Sequence, residues 1–219
     1  MQIDLSGLRA LVTGSTKGIG RAVAQELAAN GAEVVINGRK AADVQEAIAS
    51  LRATLPKGRF KAAPGDAATA AGIASTIEAA GDVDILVNNV GVFEIKDAFE
   101  IPDEDWERFF TINVLSGVRF TRHYGPRMRE KRFGRIIFIS SESGVQIPTE
   151  MIHYGFTKAA NLAGRKRRDG ECGAARAHAH RGCRRDVQGD GQVGRRPQSP
   201  ARLHRKRPAE FHYQAAGQA

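Results

Sequence analysis

The sequence predicts an α/β fold built on a doubly wound parallel sheet in a single domain. Short, continuous Val/Ile/Leu runs alternate along the chain with segments whose apolar residues recur at helical spacing. Continuous apolar runs are typical of strands that are buried on both faces, as in parallel sheets covered by helices. Because crossovers between parallel strands are right-handed, the helices are expected on both faces of the sheet.

Each element is indicated by its own local pattern. Residues 9–13 form an apolar run between two glycines, and the helix that follows stops at Asn30-Gly31. Val44, Ile48 and Leu51 share one face of the second helix. The predicted strands are 9–13, 33–37, 59–64, 84–88 and 134–140, and the predicted helices are 18–30, 41–54, 69–80, 104–131 and one beginning near residue 151. This order predicts a Rossmann-like sheet.

The composition changes abruptly near residue 163. Residues 1–163 hold 19 basic and 19 acidic residues, whereas residues 164–219 hold 14 and 5 and carry the whole net charge of +9. Large apolar residues number 51 in the first region and 5 in the second. A segment this poor in apolar residues cannot offset its ordering entropy. We therefore predict an organised body over 1–163 and a basic, disordered or frame-shifted tail over 164–219.

Several classes of protein are excluded by composition. No apolar run reaches the roughly 18 residues of a membrane span, and the N-terminus does not resemble a secretory signal. Two cysteines exclude a disulfide framework and favour the cytoplasm. The tail residues Cys172, His178, His180 and Cys183 do not have zinc-site spacing, so no metal site is predicted. The tail lacks interleaved aromatics, so we expect no specific nucleic-acid partner.

A glycine-rich loop follows the first predicted strand and opens the first helix. Its glycines allow a tight turn and close approach to a pyrophosphate, while the helix N-terminus supplies free N–H donors. A Gly-rich turn without a ligand is the alternative, but the strand–turn–helix context favours nucleotide binding. The cofactor-binding candidates in this loop are Gly14, Ser15, Lys17, Gly18, Ile19 and Gly20.

The end of the second strand favours NADP over NAD. An acid there would bind both adenosine-ribose hydroxyls, but the chain has Asn37-Gly38-Arg39-Lys40. Arg39 can pair with a 2′-phosphate, and Lys17 can join it, unless both are simply solvated cations. Asp66, after the third strand, either accepts from the adenine amino group or caps a loop, and the sequence leaves both roles open.

Tyr154 and Lys158 lie four residues apart in the last predicted helix. Both side chains then share one helix face, where a lysine cation favours the phenolate form of the tyrosine. Such a tyrosine can donate or accept a proton near neutral pH. Ser141 ends the fifth strand and can hold a carbonyl oxygen as charge develops on it. The alternative is a tyrosine and a lysine that merely face solvent.

Taken together, these motifs resemble the short-chain dehydrogenase/reductase family over residues 1 to about 163. Val90 stands where the family usually has Ala, a change between small apolar residues. The matching pieces are Thr13–Gly20, Asp66, Asn88-Asn89-Val90-Gly91, Asn113, Ser141 and Tyr154-x-x-x-Lys158.

The resemblance implies an NADP(H)-dependent oxidoreductase that interconverts a small-molecule carbonyl and an alcohol by hydride transfer. It implies that Tyr154 is the general acid/base. Lys158 would lower the pKa of the Tyr154 phenol and bind the nicotinamide ribose. Both residues are therefore also expected to contact the cofactor. The resemblance assigns Ser141 to the substrate carbonyl, chosen over its neighbouring serines by family spacing, and Asn113 to a water relay. Asn88 and Gly91 would flank the riboses. Members are commonly homodimers or homotetramers, joined through helices 104–131 and 151 onward.

The resemblance ends near residue 163. Members continue with a sixth strand, a Pro-Gly loop at the nicotinamide, a substrate lid and a seventh strand, and none of these is recognisable in 164–219. We interpret the tail as a frame-shifted reading of a GC-rich gene. Coding DNA with no family-like continuation in either other frame would contradict this. The alternatives are a catalytically impaired dinucleotide-binding remnant and, less favoured, nucleic-acid binding through the tail.

Overall fold

The structure is a computed structural model that describes residues 3–163. Within that range it confirms the predicted α/β fold, with five parallel strands in one sheet and helices between them. The expectations for residues 164–219, namely disorder or a frame shift, the absence of zinc ligation and the absence of specific nucleic-acid binding, lie outside the described residues.

The observed elements follow the predicted order, and most bounds differ from the predictions by one or two residues. Single turns of 3-10 helix cover Ala98–Glu100, Glu142–Gly144 and Thr149–Met151. The strands are β1 (Arg9–Val12), β2 (Glu33–Ile36), β3 (Arg59–Ala62), β4 (Ile85–Asn88) and β5 (Arg135–Phe138). The helices are α1 (Gly18–Ala29), α2 (Ala41–Thr54), α3 (Ala70–Ala80), α4 (Asp103–Phe110), α5 (Ser116–Glu130) and α6 (Ile152–Ala163).

The predicted single helix over 104–131 is interrupted by a π-helical turn. The chain is helical from Asp103 to Glu130, but Thr111–Leu115 forms a π-helix between α4 and α5. Apolar periodicity does not distinguish this turn from the α-helix around it. π turns are rare and often mark functional sites, and this one contains Asn113.

The sheet has the strand order β3-β2-β1-β4-β5. Ala10 of β1 pairs with Val34 on one side and with Ile85 on the other. The chain therefore moves outward from β1 in one direction and then crosses over to β4 in the other. Ligands bind at the carboxyl ends of the strands at such a switch point. The loops after β1 and β4 meet there.

Alternating residues of the central strands build a separate core on each face. Val12 and Val34 pack into the cluster beneath α1 and α2, whereas Leu11 and Leu86 pack into the cluster beneath α3 and α5, with Phe120. All five side chains are fully buried. Burial of one such side chain contributes roughly 1.5–3 kcal/mol. The two cores hold the carboxyl edge of the sheet rigid.

β5 is the outermost strand at one edge of the described sheet. Its Arg135 and Ile137 are exposed, and Ile137 keeps 44% of its surface accessible. The sequence predicts five strands and none of the later strands of the family, and the sheet formed by the described residues has five strands. In this part of the chain no helix combines the length and apolarity needed to cross a membrane.

Candidate active site

The loop between β1 and α1 forms a cradle with glycines at three positions that disfavour a side chain. Gly14 and Gly18 have φ values of +63° and +58°, the left-handed region that favours glycine. A Cβ on Gly20 would lie 2.5 Å from the carbonyl oxygen of Gly14 and would overlap the Asn89 amide. Lys17 at the N-cap of α1 makes no side-chain cap, and the first turn of the helix holds no acid. The cradle and the uncapped helix end suit a pyrophosphate.

Ser15 and Asn37 hold this loop against β2. The buried Ser15 hydroxyl donates to the Val12 carbonyl (2.7 Å) and accepts from the Asn37 N–H (3.0 Å). The Asn37 side-chain oxygen accepts from the Gly14 N–H at 3.1 Å. Ser15 was predicted to bind the cofactor, but its side chain is committed to the fold. The structural role of Asn37 was not predicted.

Asn89 joins the loops after β1 and β4 across the switch point. Its side-chain amide donates to the carbonyl oxygens of Thr13 (3.0 Å) and Gly14 (3.1 Å). Thr13 completes the link, because its hydroxyl accepts from the backbone N–H of Asn89 at 2.9 Å and donates to the Val87 carbonyl. The second Asn of the Asn88-Asn89 motif therefore shapes the glycine cradle from behind.

The end of β2 has no room for an acidic side chain at Gly38. A Cβ there would lie 2.5 Å from a methyl group of Thr16. Arg39 follows at once and is exposed, as are Lys17 and Ile19 at the start of α1. Among residues 3–163 neither Arg39 nor Lys17 forms an ion pair. Both cations are therefore available to an anionic group near the cradle.

Two further cofactor candidates have local roles in the structure. Asp66 is half-buried, and one carboxylate oxygen accepts from the Ala68 N–H at 2.9 Å, which is the loop-capping role. The buried Asn88 side chain turns towards α5, where its amide approaches the Thr121 hydroxyl at 3.5 Å and lies beside Gly117. The Asn88 side-chain oxygen has no partner within the described residues.

Asn113 connects the π turn to the loop after β4 and to α6. Its side-chain oxygen accepts from the Val92 N–H (2.8 Å), and its amide donates to the Val92 carbonyl and the buried Thr157 hydroxyl (both 2.9 Å). The Asn161 amide donates to the Asn113 carbonyl at 3.1 Å. Asn113 therefore holds three segments together, and neither Thr157 nor Asn161 was expected to contribute.

Lys158 lies buried beside Tyr154. Its ammonium nitrogen donates to the Ile139 carbonyl at 3.0 Å and lies 5.5 Å from the Tyr154 ring centroid. Burial lowers the pKa of Lys158 below its usual range. A Cβ on Gly91 would come within 3.4 Å of the Lys158 nitrogen and 3.5 Å of the Asn113 side-chain oxygen. The structure thus brings Gly91, Asn113, Tyr154 and Lys158 together.

The serines after β5 differ in what their hydroxyls do. Ser140 donates to the Lys158 carbonyl at 3.1 Å, so its proton is already used. Ser141 caps the following 3-10 turn by accepting from the Ser143 N–H at 3.2 Å, which leaves its own proton free to donate. The turn packs on α6, because a Cβ on Gly144 would lie 2.8 Å from the Lys158 carbonyl carbon. These contacts hold Ser141 close to the helix of Tyr154.

A model of the family described as short chain dehydrogenase matches residues 9–164, which is most of the chain. The chain belongs to the short-chain dehydrogenase family. The predicted family and the predicted fold are therefore both confirmed.

Individual members of the short-chain dehydrogenase family match the same region. The uncharacterized oxidoreductase YvaG of Bacillus subtilis is 46% identical over 163 residues, covering 74% of this chain and 62% of that protein. D-beta-hydroxybutyrate dehydrogenase of Cupriavidus necator is 37% identical over 171 residues, covering 72% of this chain and 65% of that protein.

Solved structures in the family show the same fold. L-sorbose reductase from Gluconobacter frateurii, complexed with NADPH and L-sorbose, matches with a TM-score of 0.70 and 34% identity, covering 74% of this chain and 63% of that one. The chain therefore spans less than two-thirds of the length of each of these three relatives.

Proposed function

We propose that this short-chain dehydrogenase is an NADP(H)-dependent oxidoreductase that interconverts a carbonyl compound and an alcohol. The observation that carries the proposal is the convergence of Tyr154, Lys158 and Asn113 with Gly91, beside a glycine cradle at the same edge of the sheet. A proton-transferring group thus lies next to a dinucleotide-shaped site. The sorbose reductase that shares this fold was solved with NADPH, which supports the same cofactor class.

The residues present fit a nicotinamide dinucleotide. Gly14, Gly18 and Gly20 leave the space a pyrophosphate needs, and the uncapped end of α1 faces it. When bound, the nicotinamide supplies or accepts the hydride. An ammonium has three donors, and Lys158 uses one on the Ile139 carbonyl. The others can hold the ribose hydroxyls.

The chain's own residues handle the proton and orient the carbonyl. In the reducing direction, the Tyr154 hydroxyl donates its proton to the carbonyl oxygen as that oxygen gains charge. The Lys158 cation stabilises the phenolate that remains. Ser141 donates a hydrogen bond to the same oxygen and keeps its proton, and Asn113 fixes the geometry by tying its turn to α6.

The preference for NADP rests on the end of β2. Arg39 and Lys17 are exposed near the cradle, and Gly38 has no room for the carboxylate that would bind a free 2′-hydroxyl. A 2′-phosphate would meet two cations there, and charge-assisted pairing favours it. Asp66 keeps one carboxylate oxygen for the adenine amino group.

The oligomeric state is a further part of the proposal. Two helices expected at an interface carry exposed apolar side chains, namely Val118 on α5 (43% exposed) and Phe156 on α6 (53% exposed). A second copy would remove this apolar surface from water. We infer a cytoplasmic homodimer or homotetramer, which sedimentation velocity can test.

Tyr154→Phe is the experiment that tests the proposed function. General acid catalysis contributes about 10²–10⁴-fold, so turnover of a carbonyl panel with NADPH should fall by about that factor. The dissociation constant of NADPH should change far less than turnover, because the glycine cradle, Arg39 and Lys158 still hold the cofactor. Tyr124→Phe is the matched control, because Tyr124 is buried in the α3/α5 core and should leave turnover unchanged.

The outcomes separate the alternatives. Equal turnover by the wild type and Tyr154→Phe would overturn the proposed role of the tyrosine. NADPH binding without turnover by the wild type would support the catalytically impaired remnant instead. A wild type that binds no dinucleotide would overturn both.

A further inference from the structure

Phe93 is an exposed aromatic residue in direct contact with Tyr154. The two rings meet edge to face, with centroids 6.2 Å apart and an interplanar angle of 64°. Phe93 nevertheless keeps 73% of its surface exposed. An exposed aromatic ring beside a proton-transferring hydroxyl offers apolar surface that a bound molecule can cover.

The residues on both sides of Phe93 are held, Val92 through its backbone and Glu94 through its side chain. Val92 is held through its N–H and its carbonyl by the side chain of Asn113, at 2.8 and 2.9 Å. Glu94 is held by an ion pair with Arg108 at 2.7 Å. Phe93 thus lies between two anchored residues, and Val92 is anchored by Asn113, which belongs to the Tyr154–Lys158 site itself.

The charged groups next to Phe93 are paired with one another. Lys96 binds Asp105 at 2.7 Å, and Arg108 bridges Asp105 and Glu94 at 2.8 and 2.7 Å. Hydrogen bonds from Lys96 and Arg108 lower the pKa of Asp105. The two cations of this network are balanced by its two carboxylates, so the network carries no net positive charge that would attract an anionic substrate.

A second apolar side chain, from the segment before α6, contacts the helix beside Tyr154. Ile147 packs on Gly155, the residue after Tyr154, so closely that a Cβ on Gly155 would overlap it. Ile147 is itself 43% exposed. The surroundings of Tyr154 therefore include two partly exposed apolar groups, with Phe93 in direct contact.

We propose that Phe93 is the residue that determines specificity, selecting neutral carbonyl compounds with an aryl or bulky alkyl group near the carbonyl carbon. This inference rests on the proposed function and names its substrate class. Such a group covers the exposed ring while the carbonyl oxygen reaches Tyr154. A polyhydroxylated or anionic carbonyl compound gains little, because the ring offers no hydrogen bond and the charges of Lys96 and Arg108 are balanced by Asp105 and Glu94.

The test is direct ligand binding to the full chain saturated with NADP⁺, which has no hydride to give to a ketone and so keeps binding separate from turnover. Isothermal titration compares 4-phenyl-2-butanone with dihydroxyacetone on the wild type, Phe93→Ala and Phe99→Ala. Phe99 is the matched control, since it lies in the same loop, is fully exposed and makes no ring contact with Tyr154. The aryl ketone should bind Phe93→Ala about tenfold more weakly. Phe99→Ala should match the wild type, and the dihydroxyacetone affinity should not change.

Binding separates this proposal from the proposed function, which is tested by turnover. Phe93→Leu keeps part of the apolar contact and should lie between the wild type and Phe93→Ala. The proposal is overturned if the wild type fails to bind the aryl ketone or prefers dihydroxyacetone. It is also overturned if Phe93→Ala and Phe99→Ala weaken binding equally, because the effect would then belong to the loop.

Discussion

Replacement of Asn37 by aspartate should destabilise the fold strongly. The Asn37 amide nitrogen lies 3.0 Å from the Ala63 carbonyl oxygen and 3.1 Å from both the Gly65 carbonyl oxygen and the Thr76 hydroxyl oxygen, which share its two N–H donors. An aspartate would turn a second oxygen towards these three acceptors. Thr76 cannot donate in return without breaking its own 2.8 Å bond to the Gly72 carbonyl.

The size of the effect follows from these contacts. Each buried acceptor left unpaired costs about 1–3 kcal/mol, and burial of the carboxylate adds several more. Asn37 is only 1% exposed, so water cannot compensate. We expect Asn37→Asp to lose at least about 4 kcal/mol, a large part of the roughly 5–15 kcal/mol of a typical domain.

Urea unfolding followed by the fluorescence of the only tryptophan, Trp106, measures this loss. The control is Asn30→Asp, the same chemical change at an exposed amide near the end of α1, which should cost about 1 kcal/mol or less. Protonation restores one donor, so the deficit relative to the wild type should shrink as pH is lowered below about 6. A deficit at pH 7 no larger than that of the control would refute the reasoning.

Three further predictions follow from single residues. Arg39→Ala should weaken NADPH binding about tenfold or more and leave NADH binding unchanged, because only the phosphate pairs with the guanidinium. His153→Phe should make the free energy of unfolding fall less steeply as the pH is lowered. Burial lowers the pKa of His153 below its usual 6.5, so the unfolded chain binds the proton more readily and wild-type stability falls as pH drops through the region below about 6.5. Tyr124→Phe should leave stability unchanged or raise it by up to about 1 kcal/mol, because it removes a buried hydroxyl without a partner in the described residues. Titration calorimetry measures cofactor binding to Arg39→Ala. Urea unfolding measures the stability of His153→Phe across a range of pH and that of Tyr124→Phe at pH 7.

Each of these predictions has a contradicting result. Equal losses of NADPH and NADH affinity in Arg39→Ala would mean that the arginine does not read the phosphate. If His153→Phe loses stability in acid as steeply as the wild type, another group causes that loss. His123 is one such group, because burial lowers its pKa as well. A loss of more than about 1 kcal/mol in Tyr124→Phe would show that its hydroxyl is satisfied.

The sequence alone predicts the helices and strands and the edge of the sheet where the candidate site lies. Continuous apolar runs identified β1, β2 and β4 because both faces of these strands are buried. The Tyr154–Lys158 pair was predictable because its spacing is local to one helix. The π turn at Thr111–Leu115 was not, since its apolar pattern is the same as that of the helices around it.

Side-chain roles that depend on distant partners were not predictable. Asn37 bonds Thr76, 39 positions away, and no local pattern marks that pair. Ser15 and Asn88 remain predicted cofactor-binding residues, and no local pattern indicates that their side chains face β2 and α5. A motif locates the residues near a site, whereas the packing decides which of them reach into it.

The measurement that tests the central claim most directly follows a labelled hydride. The full chain is incubated with NADPH deuterated at the transferred position of the nicotinamide ring and with 4-phenyl-2-butanone, and the alcohol is analysed by mass spectrometry. We predict one deuterium at the former carbonyl carbon with the wild type, and a loss of about 10²–10⁴-fold in its rate of appearance with Tyr154→Phe. An alcohol without deuterium, or equal rates with the two proteins, would contradict hydride transfer assisted by Tyr154.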